Sequence, residues 1–234
     1  MAVCALIGTV TLGARAGAWR DDFARGIGDW EIFNLDRAVE TWDGKDEQAI
    51  GDIFSPNFYS LLILSPDSSD ARKWSNYTVK CRVQALRIKE RDGEPRMGIS
   101  VYDQEFEGNR YLCLFAFDTG EINIVRVTND FWQIIPIAYP VEQKTWYDMT
   151  VTIATEAEEE SLTFAVNNDF EITIKATDPL KAGKVGLVVA DARAAFDDVE
   201  VEGENVPNGG FGKPRAVNAR NALATRWAAL KTNR

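Results

Sequence analysis

The stretch Asn76-Tyr-Thr-Val-Lys-Cys-Arg-Val-Gln-Ala-Leu86 sets the strictest limit on what this chain can become. Tyr77, Val79, Cys81, Val83 and Ala85 are apolar, whereas Thr78, Lys80, Arg82 and Gln84 between them are polar. Successive strand side chains leave opposite faces, so this alternation describes a half-buried β-strand and is out of step with a helical period. It returns in RMGISVYD, where Met97, Ile99 and Val101 oppose Gly98, Ser100 and Tyr102. Further strand-like runs are RYLCLFAFD, EINIVRV, WQIIPIAY and WYDMTVTIA. In SLTFAVNNDFEITIKA two alternating runs meet at Asn167-Asn168, and Asn tolerates positive φ, which predicts a tight hairpin. Short strands spaced by about 8–12 residues, without helical periodicity between them, predict an all-β, two-sheet antiparallel sandwich or jelly roll.

The two ends differ from this middle. Ala2 to Leu12 form an apolar run of signal-peptide length, too short to span a membrane, followed by small residues that allow cleavage after Ala16 or Ala18. Residues 1–18 are therefore read as an export signal, with a secreted, periplasmic or cell-surface destination in a bacterium. At the other end, residues 204–214 read as a Gly/Pro linker. Residues 215–234 read as a basic amphipathic helix with Ala222, Leu223, Trp227 and Leu230 on one stripe, docked on the sandwich or offered to a protein partner.

Charge and composition then remove whole classes of function. The formal net charge of −10 repels polyanions, so nucleic acid is not expected as a partner. The sequence contains no histidine, which excludes Ser-His-Asp and Cys-His catalysis and His-ligated zinc. Once the signal is removed, Cys81 and Cys113 remain, either as two small buried apolar groups or as a cross-strand pair.

Several segments together carry a resemblance: Trp74 to Val83, MGISVYD (97–103), NRYL (109–112), TGEINIVRV (119–127), WYDMTVTI (146–153), FAVNN (164–168) and GKVGL with AAFDDVEV (183–201). In this profile of strands and turns, residues 20 to 203 resemble the concanavalin A-like, laminin G-type jelly rolls of secreted bacterial proteins. The resemblance implies two stacked antiparallel sheets, one of them curved, whose concave face binds carbohydrate. It extends in layout to 3-keto-disaccharide hydrolase-type domains. RMGISVY stands where those carry Asn-Ser-Gly-Ile followed by arginine, which puts that activity in doubt. Family 16 glycoside hydrolases share the fold, but DQEFE (Asp103, Glu105, Glu107) has the wrong order for their motif and reads as a solvated loop.

On that fold the concave face is expected to carry Arg82, Gln84, Ser100 and Tyr102, with Arg126 and Asn123 nearby. Tyr102, Tyr111, Trp132 and Trp42 are candidate rings for stacking on a sugar, whereas Trp30, Trp74 and Trp146 are expected in the core. Asp21-Asp22 near one end and Asp197-Asp198 near the other would be neighbours if the first and last strands pair. Such carboxylates suit a structural Ca2+, which takes six to eight oxygen ligands; alternatively, one Asp of each pair faces solvent and the other caps a turn or meets Arg20 or Arg193. The leading expectation is an exported module that binds a glycan. The alternatives are a glycoside hydrolase-type enzyme with two carboxylates about 5–5.5 or 6.5–9.5 Å apart, and a non-catalytic structural or assembly protein.

Overall fold

In a computed structural model the chain is described over residues 17–34, 41–54, 59–65, 70–89, 93–104, 108–129, 131–176 and 178–212. In chain order the strands are β1 (Gly17–Asp21), β2 (Trp30–Asn34), β3 (Thr41–Lys45), β4 (Gln48–Ile53), β5 (Ser60–Leu64), β6 (Ser75–Ile88), β7 (Arg96–Asp103) and β8 (Arg110–Ala116). They continue with β9 (Glu121–Thr128), β10 (Phe131–Ala138), β11 (Trp146–Glu156), β12 (Glu159–Val166), β13 (Phe170–Ala176), β14 (Lys184–Ala190), β15 (Ala192–Glu204) and β16 (Gly209–Gly210). They form two sheets. One has nine strands in the order β13-β12-β11-β6-β15-β1-β16, with β4 also pairing β15 and β3 pairing β4. The other has seven, in the order β10-β9-β8-β7-β14-β5-β2. All of these pairs are antiparallel apart from the short parallel contact of β1 with β16.

The period-two residues of β6 do what their pattern requires. Tyr77, Val79, Cys81, Val83 and Ala85 are buried between the sheets, against Met97, Ile99, Tyr111, Cys113, Leu187 and Phe196 among others. The alternate set faces away from the core. Cys81 and Cys113 are buried on opposite sheets and form no disulfide, as the apolar alternative has it. The β12–β13 hairpin turns at Asn167 and Asn168, at φ 52° and 59°.

Two of the bulges re-aim residues expected at a site. Between β7 and β14, Val101 and Tyr102 stand opposite the single residue Val185, and Tyr102 lies at φ 48°. A bulge puts two residues opposite one and re-aims a side chain. Tyr102 accordingly turns into the core, edge-on to Tyr77 with centroids 5.3 Å apart, and leaves the face of Ser100. Gly183 permits this kink, because a Cβ there would lie 2.2 Å from the Tyr102 carbonyl carbon. The second bulge is at Asp198 (φ 51°), where Asp198 and Val199 oppose Cys81. There β15 changes neighbour, pairing β4 through Phe196 and β1 from Val199 onward. At this bulge both Asp197 and Asp198 lie within reach of Arg82.

The boundaries shift slightly from those expected. β1 begins at Gly17, inside the expected signal, so cleavage after Ala16 leaves the strand whole. Cleavage after Ala18 would remove the Ala18 N–H that donates to Asn208 Oδ1 (3.1 Å). Part of the expected linker is strand β16, paired with β1. The remainder of the signal, the helix expected at 215–234, Glu105 and Glu107 lie outside the described residues. Among those described, no helix is long and apolar enough to cross a membrane.

Candidate functional site

The residues expected on or near the concave face fall on three surfaces. Arg82 and Gln84 lie on the outer face of the nine-stranded sheet, and both have partners. Arg82 reaches Asp197 (3.6 Å) and Asp198 (3.9 Å) and stacks over Trp146, 4.7 Å from the ring centroid. Trp146 is thus half-buried on that face and not in the core. Gln84 donates to the Lys144 carbonyl (2.8 Å). Ser100 lies on the outer side of the seven-stranded sheet but is fully buried, donating to Asp103 Oδ2 (2.8 Å). Tyr102 is in the core, its hydroxyl accepting from the Asn76 N–H (2.9 Å). Trp42 is also core, donating from its indole N–H to Ser60 Oγ (2.9 Å). These residues do not assemble a polar ligand face, because bulges, cross-strand partners and burial separate them.

The outer side of the seven-stranded sheet is instead a second apolar layer. Leu61, Ile63, Leu112, Leu114, Val125, Val127 and Val188 are all buried there, and Asn123 lies buried on the same side. Beside them Asp103 and Arg110 form an ion pair at 3.4 Å with side chains 0% and 3% exposed, so Asp103 is not the solvated loop residue expected. At the edge of this layer Trp132, 39% exposed, lies 5.6 Å from Tyr59. With Arg110 they border a hollow of about 60 Å³.

Tyr111 and Arg126 meet on the third surface, between the sheets. The antiparallel register aligns Tyr111 with Arg126 across β8 and β9, and Arg126 with Gln133 across β9 and β10. This row looks inward at the open edge of the sandwich. Facing it across the gap are Ile174, Lys175 and Ala176 of β13, with Asp178 beyond. The resulting cleft measures about 250 Å³, with Ile124 and Ile135 as its apolar floor. Arg126 Nη2 donates to the Asp178 carbonyl and to Asp178 Oδ2 (3.3 Å). Arg126 Nε and Tyr111 Oη are buried and make no hydrogen bond. Burial raises the Tyr111 pKa, and the nearby Glu160 carboxylate adds to the rise, so the phenol keeps its proton. Glu160 itself accepts from Thr155 Oγ1 (3.2 Å) and from the Leu180 and Lys181 N–H groups (3.4 and 3.2 Å). Phe115, Tyr139, Tyr147 and Phe170 close the gap at the other end, with Phe115 and Tyr147 4.8 Å apart and Tyr139 and Phe170 5.2 Å apart.

The aspartate pairs of the two ends do approach one another, but each carboxylate already has partners. Asp21 is buried, its Oδ1 accepting from the Phe23 N–H (2.8 Å) and its Oδ2 from the Trp30 indole (2.9 Å). Asp22 accepts from the Ala24 N–H (3.2 Å), and Asp197 and Asp198 face Arg82. Among the described residues no three of His, Cys, Asp and Glu are grouped to hold a metal ion. That donor set does not fit the six to eight oxygens calcium takes.

Sequence reasoning named Tyr111 and Arg126 but missed Gln133, Lys175 and Asp178, because the cleft depends on which edge strands of the two sheets oppose each other. No family model and no curated protein matches the chain. Solved structures do. A carbohydrate binding module, CBM66 from Bacillus subtilis, is 18% identical over 74% of this chain and 94% of that one, at TM-score 0.55. A prokaryotic β-1,3-1,4-glucanase (lichenase) from a mouse hindgut metagenome is 9% identical over 81% and 100%, also at 0.55. Peanut lectin is 12% identical over 83% and 100%, at 0.53. At these identities the likeness is one of fold, and the chain is a concanavalin A-like jelly-roll sandwich.

Proposed function

We propose that this chain is an exported glycan-binding module whose site is the cleft between the edge strands β10 and β13. The observation that carries the reading is Arg126 Nε, a buried donor without a hydrogen bond on a residue that borders an open space of about 250 Å³. Buried polar groups in native proteins are normally satisfied, so such a donor beside a cavity marks a place where a ligand supplies the partner. Planar groups on Arg126 and Gln133 suit the adjacent hydroxyls of a sugar, and Ile124, Ile135 and Ile174 suit its apolar CH face. The cleft lies a little below the usual 300–1,000 Å³ range for small-molecule sites, which fits a single sugar unit. The names of the structural neighbours, a carbohydrate binding module and a lectin, lean the same way, and their fold analogy is associational. The apolar N-terminal run and the small residues before β1 support export.

Binding is favoured over hydrolysis because Glu160, the buried carboxylate behind Tyr111, is tied by three donors, while Asp178 is held against Arg126. The test is a glycan array, followed by calorimetry on the hits, with the full chain. Arg126→Ala should weaken binding by about tenfold or more, the scale of one lost charged hydrogen bond. Arg82→Ala, on the other side of the molecule, should leave it unchanged. A folded protein silent across the array, or one disabled equally by both substitutions, rules this reading out.

A further inference from the structure

Resting on that reading, we infer that the cleft selects an acidic glycan, with Arg126 receiving the carboxylate of a uronic acid residue and Asp178 occupying that place in the free protein. The guanidinium is a rigid fork whose Nε–H and Nη2–H lie side by side and match the two oxygens of a carboxylate. In this cleft the fork is half used. Nη2 is engaged by the Asp178 main-chain carbonyl and, at 3.3 Å, by Asp178 Oδ2, while Nε is buried and makes no hydrogen bond. The Asp178 side chain is 89% exposed against 19% for Arg126, so the occupant is a surface group on a buried receptor. A carboxylate that stays mostly in water holds its partner weakly, and a ligand carboxylate reaching both donors would displace it. Tyr111 stands beside the fork, the guanidinium carbon 6.0 Å from its ring centroid, with its hydroxyl turned to the Glu160 carboxylate behind it. Lys175 also borders the cleft, but its ammonium is paired with Glu159.

The net charge of −10 opposes an anion only at long range, and salt screens it over about 8 Å at physiological ionic strength. Selection must therefore come from these local contacts. Isothermal titration of the full chain with two probe pairs tests this: D-galacturonate against D-galactose, and D-glucuronate against D-glucose. The members of each pair differ only in a carboxylate or hydroxymethyl at C6. At least one uronate should bind about tenfold tighter than its neutral partner. Arg126→Lys, which keeps the charge and removes the fork, should erase that preference. Asp178→Asn should tighten the uronate by a few fold and leave the neutral sugar unchanged, and it also decides the case if Arg126→Lys lowers the melting midpoint. Equal binding of acid and neutral sugar, weakened alike by Arg126→Lys, overturns the acidic selection and leaves the glycan site standing. No binding of any of the four probes at millimolar concentrations, together with a silent array, overturns both.

Discussion

On the outer face of the nine-stranded sheet, Arg20, Lys80 and Arg82 interleave with Glu200, Glu202, Asp197 and Asp198, with Lys80 lying 3.8 and 3.6 Å from Glu200 and Glu202. On the outer side of the seven-stranded sheet, seven Leu, Ile and Val side chains are buried beside a desolvated Asp103–Arg110 pair. Both sheets share one inter-sheet core, so the contrast comes from their second faces. On a charged face in water, exposed pairs are worth about 0–1 kcal/mol each, so its exposed members are individually dispensable, whereas Glu200 at the foot of the ladder is buried. A buried face gains from every aliphatic group it holds, and any charge in it is committed to its partner. The first face tolerates change, whereas the second helps hold the fold.

The comparison breaks most visibly at Asp103. Asp103→Ala leaves the Arg110 guanidinium in a desolvated site without its carboxylate, and losing one member of a buried pair costs about 3–5 kcal/mol. Denaturant unfolding should show a loss on that scale, and a loss below about 1 kcal/mol would mean the pair is effectively solvated. Leu112→Ala comes next. Leu112 is 2% exposed in the second apolar layer, and truncating a buried Leu costs about 2–5 kcal/mol. A cost near that of an exposed position would show that the layer is open in solution. Lys80→Ala on the opposite face should cost less than about 1 kcal/mol, because Glu200 keeps its contact with Arg20.

How far this contrast was legible depends on the strand. Arg82 and Gln84 were placed on a polar face by the alternation of β6, and they are on one. The double burial of β5, β8 and β14 was written in their unbroken runs, SLLIL, RYLCLFA and KVGLVVA, the mark of strands covered on both sides. Tyr102 and Asp198 were not legible, because nothing in an alternating pattern announces where a non-glycine residue adopts positive φ. The cleft was half legible: Tyr111 and Arg126 can be named from their strands, but their meeting requires the β8–β9 register, and Lys175 joins them only once the edges of both sheets are known. For the same reason, adjacency in sequence did not reveal that the Asp21 carboxylate accepts from the Trp30 indole.

The smallest effect is the most discriminating, because it asks whether even the charged face has a desolvated spot. Asp197 sits at the Asp198 bulge, and its pKa is raised above the usual 3.8, first by burial and then by the Asp198 charge, against the opposing pull of Arg82. A carboxyl whose folded pKa is raised binds its proton more tightly in the folded state. Its contribution to stability is therefore present below the unfolded value and is lost as pH rises through the folded one. Asn at this position imitates the neutral form at every pH. The melting midpoint of Asp197→Asn, taken relative to the parent, should thus improve as pH rises from about 3 to about 6. If it worsens over that interval, attraction to Arg82 outweighs burial, and the bulge belongs with the rest of the exposed ladder. If it improves, the bulge has carried a patch of the buried sheet's chemistry onto the solvent face of its neighbour.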